Sequence, residues 1–96
     1  MDFAKEIRTL INTGKYEIGQ KSALRHISEG KVKAIIVSSN VQQLFLGTLN
    51  NRAKIAGVRI IKVPFTSIEL GSVCGRAHVI SAIAVFDEGD SKILKP

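Results

Sequence analysis

The sequence predicts an α/β domain with helices on both faces of a central sheet. Three observations carry that prediction. Helical and extended patterns alternate in the order helix, short strand, helix, strand, helix, strand, helix, strand, as expected when helices cover a sheet from both sides. Ala34-Ile35-Ile36-Val37 is apolar at every position, and such a run marks a strand covered on both faces, as in a parallel sheet. Gly14 suits the left-handed position just past a first helix, and Gly30, Gly57 and Gly75 each end a later helical period.

The elements follow in order. Asp2 is placed to cap a first helix whose Phe3, Ile7, Leu10 and Ile11 share one face. Residues 16–18 read as a short strand or extended turn. A second helix spans Gln20–Glu29 with an apolar stripe of Ala23, Leu24 and Ile27, and with Lys21 and Arg25 one turn apart on its open face. Residues 33–38 hold the apolar strand, and Ser38-Ser39-Asn40 form a loop at its carboxyl end, where ligands of open α/β sheets gather. A longer helix covers residues 41–56, with Leu44, Phe45, Leu49 and Ala53 on its buried side. Gly47 inside it costs about 1 kcal/mol of helix propensity relative to Ala. Residues 58–63 form a strand centred on Ile60 and Ile61. Thr66-x-x-Glu69 is a capping box that opens a short helix carrying Ile68, Leu70 and Val73. The loop of residues 75–78 leads to a last buried strand over residues 79–86. Asp87-Glu88-Gly89-Asp90 is an acidic turn, and residues 91–94 form a short closing element.

A chain of 96 residues predicts one domain, residues 1–96. The hydrophobic share of 45% supports a core and argues against disorder. Cys74 is the sole cysteine, so no internal disulfide forms, which fits a reducing compartment. No leader-like or membrane-length apolar segment stands out, and the expectation is a soluble cytosolic protein without a membrane partner. Fourteen Lys and Arg against eight Asp and Glu give a formal charge of +6, a bias toward an anionic partner.

Residues 14–22, Gly-Lys-Tyr-Glu-Ile-Gly-Gln-Lys-Ser, focus that bias. Gly19 lets the backbone approach a partner, since it has no Cβ. The amides after it form an open helix N-terminus with Lys21 beside it, a setting that attracts phosphate. The spacing Gly14-x-x-x-x-Gly19 looks like a nucleotide-binding loop, but Gln20 stands where that loop needs Lys, and a helix precedes it rather than a buried strand. A turn with solvated lysines is the plain alternative, and a nucleic acid backbone is the third reading. Two more loops join the argument. Asn40 offers an amide that donates and accepts against a base edge. Arg76 offers charge to phosphate, while His78, Val79 and Ile80 offer stacking or apolar contact to an unstacked base, a feature of irregular RNA. In a regular α/β arrangement the three loops converge near one edge.

The chain offers little for catalysis. Cys74 and His78 make a conceivable nucleophile and base, but Cys74 ends an amphipathic helix, where a small buried hydrophobe is wanted. One Cys and two His do not make a zinc site unaided. Asp87, Glu88 and Asp90 read as a solvated turn, and His26 as an exposed helix residue. No cofactor is expected, and the chain reads as a binding module rather than an enzyme.

The stretch of residues 14–22, then Ala34-Ile35-Ile36-Val37-Ser38-Ser39-Asn40, then Glu69-Leu70-Gly71 with Gly75-Arg76, and finally Gly89-Asp90-Ser91-Lys92-Ile93-Leu94 together resemble the ribosomal L-thirty-e family, within the broader L-seven-Ae group of RNA binders. That family belongs to the large ribosomal subunit of archaea and eukaryotes, and the compact length looks archaeal. The resemblance covers essentially the whole chain. It implies a three-layer α/β/α sandwich around a four-stranded mixed sheet, and recognition of a kink-turn or kink-turn-like internal loop of ribosomal RNA. By that analogy Gly19 and Lys21 meet the RNA, with Ile18 beside them. Asn40 reads a guanine of the tandem G·A pairs, and His78, Val79 and Ile80 occupy the loop that receives an extruded nucleotide. Eukaryotic members carry Phe where this chain has His78, and archaeal relatives often carry Pro where it has Ala77. Neighbouring ribosomal proteins and the protein's own messenger RNA are further partners the resemblance allows. A kink-turn binder outside the ribosome, such as a regulator or guide-RNA particle component, stays open, as does a small nucleotide-binding enzyme built on residues 14–22.

Overall fold

The computed structural model describes residues 2–94. Helix α1 (Phe3–Thr13) is followed by strand β1 (Lys15–Ile18), α2 (Gln20–Glu29), β2 (Ala34–Val37), α3 (Gln43–Ala56), β3 (Arg59–Lys62), α4 (Ser67–Val73) and β4 (Ala82–Asp87). The four strands form one sheet in the order β1-β4-β2-β3. β4 runs antiparallel to both β1 and β2, while β2 and β3 are parallel. The sheet is therefore mixed, as the family resemblance implies. β2 is covered on both faces as its apolar run requires, but only one of its two ladders is parallel.

Side-chain alternation assigns the layers. On one face Ile35 and Val37 of β2 and Ala82 and Ala84 of β4 pack against Ala23 and Ile27 of α2 and Phe45, Leu49 and Ala53 of α3. On the other, Ile36, Ile83 and Val85 pack against Ile7 and Leu10 of α1 and Leu70 of α4. The result is the three-layer sandwich. Full burial of one isoleucine such as Ile83 contributes about 1.5–3 kcal/mol. The small alanines of β4 leave room for α2 and α3 to approach the sheet.

Local signals explain most boundaries. Asp2 accepts from the Lys5 amide at 3.1 Å and starts α1. The capping box closes at both ends, with the Thr66 side chain accepting from Glu69 N–H and the Glu69 carboxylate from Thr66 N–H. Hydrogen bonding of Thr66 to the Glu69 carboxyl, first from its backbone N–H and then from its side chain, holds that carboxyl below the usual carboxylate range.

Five expectations are corrected. Gly14 is extended, at φ −96° and ψ −178°. It is required for room, because a Cβ there would stand 2.5 Å from the Asp87 carbonyl oxygen. Leu44 is 79% exposed, since the buried stripe of α3 runs through Phe45, Leu49 and Ala53 and Leu44 lies off it. Ile68 is 71% exposed, and Leu70 with Gly71 makes the buried side of α4. β4 starts at Ala82 rather than residue 79, because the Ile80 N–H is drawn off to the Ser67 carbonyl at 2.9 Å. Residues 91–94 form no regular element; Ser91 Oγ donates to the Glu6 carbonyl at 2.7 Å, and the Lys92 N–H to the Glu6 carboxylate at 2.6 Å.

Candidate nucleic-acid interface

β4 lies between β1 and β2, so its start is flanked by the carboxyl ends of both neighbours. Ile18 is registered with Ile83, and Val37 with Ala82. The loops after β1 and β2 therefore meet at the residues that lead into β4, and backbone hydrogen bonds join them. The Gly19 N–H donates to the Ala82 carbonyl and the Ser38 N–H to the Ser81 carbonyl, each at 3.0 Å. Gln20 Nε2 adds a side-chain bond to Ser81 Oγ at 3.0 Å.

Gly19 has φ 125° and ψ 152°, a region essentially confined to glycine. This conformation turns the chain from β1 into α2 at once. Nothing lies within 4 Å of where a Cβ would stand, so the backbone there is open to a partner. No side chain caps α2, and its first amides keep their donors and the positive end of the helix dipole. Lys21 is exposed on this turn. Arg25 is 3.6 Å from Glu17, an exposed pair of small energetic weight.

His26 is not the exposed helix residue that the sequence predicts; its side chain is only 13% accessible. The ring stands between Glu17 at 2.6 Å and Glu29 at 2.8 Å, with the Phe86 ring edge-on at 4.8 Å. It fastens α2 to β1 and the sheet behind Gly19.

Asn40 is exposed but tightly held. Its Oδ1 accepts from the Ser67 N–H at 2.8 Å and from Ser38 Oγ at 3.1 Å. A backbone N–H only donates, so the atom facing Ser67 is the oxygen. The amino group is then the part left to face a partner, with two donors. Asn40 thereby caps the first amide of α4, while the N-cap of α3 is Gln42.

The loop between α4 and β4 folds back along α4. A Cβ on Gly71 would collide with the His78 carbonyl oxygen, so this glycine permits the approach. Residues Ile68, Ser72, Arg76, His78 and Val79 line a cleft of about 320 Å³ there. His78 is exposed and Val79 is 60% exposed. Ile80 is only 1% exposed and belongs to the core beside α1 and α4, so its side chain anchors the loop instead of meeting a base. Arg76 stands apart from the Gly19–Asn40 edge, its Nη2 donating to the Tyr16 hydroxyl at 3.2 Å.

Sequence reasoning missed Ile68, Ser67 and Gly71. Ile68 lies in an amphipathic pattern that points to the core. A glycine inside a capped helix, right after a buried leucine, was the available signal for Gly71.

The alternatives lose their geometry. Residues 14–22 form an extended β1 running straight into α2, not a loop wrapped around a phosphate. Cys74 is buried, and burial pushes its thiol up, with Arg76 pulling more weakly the other way. Asp87 accepts from the Gly89 N–H at 2.9 Å and Glu88 pairs with Lys33 at 3.1 Å, so two of the acidic turn's carboxylates are engaged internally. No helix among the described residues is long and apolar enough to cross a membrane.

The sequence pattern of the ribosomal protein L7Ae/L30e/S12e/Gadd45 family matches residues 1–95. The chain belongs to this family. It is a family of ribosomal proteins, not of enzymes. Among the similar proteins of this family is the large ribosomal subunit protein eL30 of Aeropyrum pernix, 38% identical over 99% of this chain and 95% of its own. The eL30 of Pyrobaculum calidifontis is 39% identical over 99% and 94%, and that of Methanocaldococcus jannaschii 33% over 99% and 86%. A solved structure of a Bacillus halodurans protein of unknown function superposes with a TM-score of 0.80 at 17% identity, covering 90% of this chain and 85% of that one. That likeness concerns the fold alone.

Proposed function

We propose that the protein is a constituent of the large ribosomal subunit and binds a kink-turn or kink-turn-like internal loop of ribosomal RNA. The carrying observation is the junction at the start of β4, where an uncapped helix end, an outward amide and a half-apolar cleft sit side by side. Family membership and the names of the eL30 relatives support the ribosomal setting, and with it a cytoplasmic location.

Each part has a task. The first amides of α2 and Lys21 take the phosphates at the bend. The Asn40 amino group donates to O6 or N7 of a guanine, both acceptors. Ile68, His78 and Val79 receive a base that the kink has unstacked, and Arg76 supports the neighbouring phosphate. Ile80 holds the loop from below. A straight duplex presents neither the bend nor the free base, so shape and charge select together.

A titration at two salt concentrations tests this. One RNA carries a three-nucleotide bulge beside tandem G·A pairs; a plain duplex of equal length and charge is the control. The bulged RNA is expected to bind more tightly at both salts. Equal affinities that vanish together as salt rises would reduce the interface to a generic basic surface.

A further inference from the structure

The cleft beside His78 does not end at α4. A second cleft of about 300 Å³ lies between α1 and the end of α4, lined by Arg8 and Asn12 on one side and Ser72 and Gly75 on the other. Ser72 lines both clefts, so they adjoin at the end of α4, and the cleft between α1 and α4 is a trough leading away from the one assigned to the base. Arg8, Ile11 and Asn12 are spaced i, i+3, i+4, which puts them on one face of α1. Arg8 and Asn12 are exposed.

Arg8 makes the trough positively charged, and among the described residues no carboxylate lines either cleft. The acids nearby in sequence are engaged elsewhere. Asp2 caps α1, Glu6 holds residues 91 and 92, and Glu69 closes its capping box. Arg76 lines the adjoining His78 cleft, steadied by the Tyr16 hydroxyl. The helix end beneath adds little negative potential, because the Leu70, Gly71 and Ser72 carbonyls accept from Cys74, Arg76 and Gly75. Arg8, the Asn12 amide and the Ser72 hydroxyl rim the trough over a floor of Ile11, Val73 and Cys74, and with Arg76 in the adjoining cleft this rim matches a run of phosphates better than a base edge.

We propose that this trough is a second, sequence-independent contact for the sugar-phosphate backbone of one RNA arm, continuing outward from the kinked loop. The proposal rests on the RNA-binding reading above. Arg76 lies in the adjoining cleft, and Arg8 with Asn12 forms the far end.

The test compares a minimal kinked RNA with versions in which each arm in turn is lengthened by a helical turn. Wild-type protein, Arg8→Glu and Lys54→Glu are titrated against all of them over a range of salt. Lys54 is on α3, in the opposite layer, and controls for the change in net charge. Arg8→Glu is expected to weaken binding of one long-armed RNA about three- to tenfold and to lower its salt slope by about one. It is expected to leave the minimal RNA within about twofold of wild type, as a rim charge outside the contact should. Equal losses on minimal and long RNAs, a matching loss with Lys54→Glu, or no loss on any RNA would each overturn the trough. Failure of the wild-type protein to prefer the minimal kinked RNA over a duplex would instead sink the underlying reading, whatever Arg8→Glu does.

Discussion

Asn40 divides its side chain between two duties. The oxygen faces inward to Ser67 N–H and Ser38 Oγ, and the amino group faces the proposed guanine. The duties separate by substitution. Asn40→Asp keeps an oxygen for Ser67 and replaces the donors with a repelling acceptor. Asn40→Ala removes both. Asn40→Asp is therefore expected to unfold near the wild-type denaturant midpoint and to lose about 1–3 kcal/mol of RNA affinity. Asn40→Ala is expected to lose similar affinity and about 0.5–2 kcal/mol of stability, as for other lost caps. Wild-type affinity in Asn40→Asp would show that the amino group reads nothing. The sequence made Asn40 legible as a polar residue at a strand's carboxyl end. Its anchor, 27 residues away, was not legible, because only the tertiary fold brings Ser67 to it.

Helix α4 shows how far local signals reach at the scale of an element. The capping box was readable because its partners are three residues apart. The buried face was misread, as it was on α3 at Leu44, because a short or weakly amphipathic helix leaves its rotation to its neighbours. Gly71 and Gly47 make the distinction measurable. Both are helical glycines, and Gly→Ala in a helix gains up to about 1 kcal/mol. At Gly47 nothing lies within 4 Å of a new Cβ, so Gly47→Ala is expected to raise the unfolding free energy. At Gly71 the new methyl meets the His78 carbonyl, and overpacking of about 1–3 kcal/mol outweighs the propensity gain. Gly71→Ala is expected to be less stable and to bind the kinked RNA less well, since residues 76–79 must move. Urea titration of both variants beside the RNA titration checks this, and a stabilised Gly71→Ala with full affinity would refute the packing argument.

For the molecule as a whole, alternation of helices and strands was enough to predict the class and the covering of both sheet faces. Strand order was beyond periodicity, because a hydrophobic pattern says which face is buried and not which strand is adjacent. The order β1-β4-β2-β3 is the fact on which the interface depends. It puts the last strand in the middle and so brings residue 19, residue 38 and residue 81 together from far-separated parts of the chain. The trough past Arg76 was likewise hidden, since it needs α1 and α4 side by side.

Adjacent carbonyls, those of Ser81 and Ala82, each hold the first loop amide of a neighbouring strand, Ser38 and Gly19. Both amides are thus latched to consecutive peptide units, and any fluctuation that lifts the start of β4 releases the two together. Their hydrogen exchange is expected to proceed at closely similar protection factors through one shared opening, and to slow in parallel when RNA is added. Independent exchange, with Gly19 fast and Ser38 protected, would mean that the latches open separately. If they open as one, grip on the phosphates and reading of the base are not two separable binding events: the protein holds both or neither.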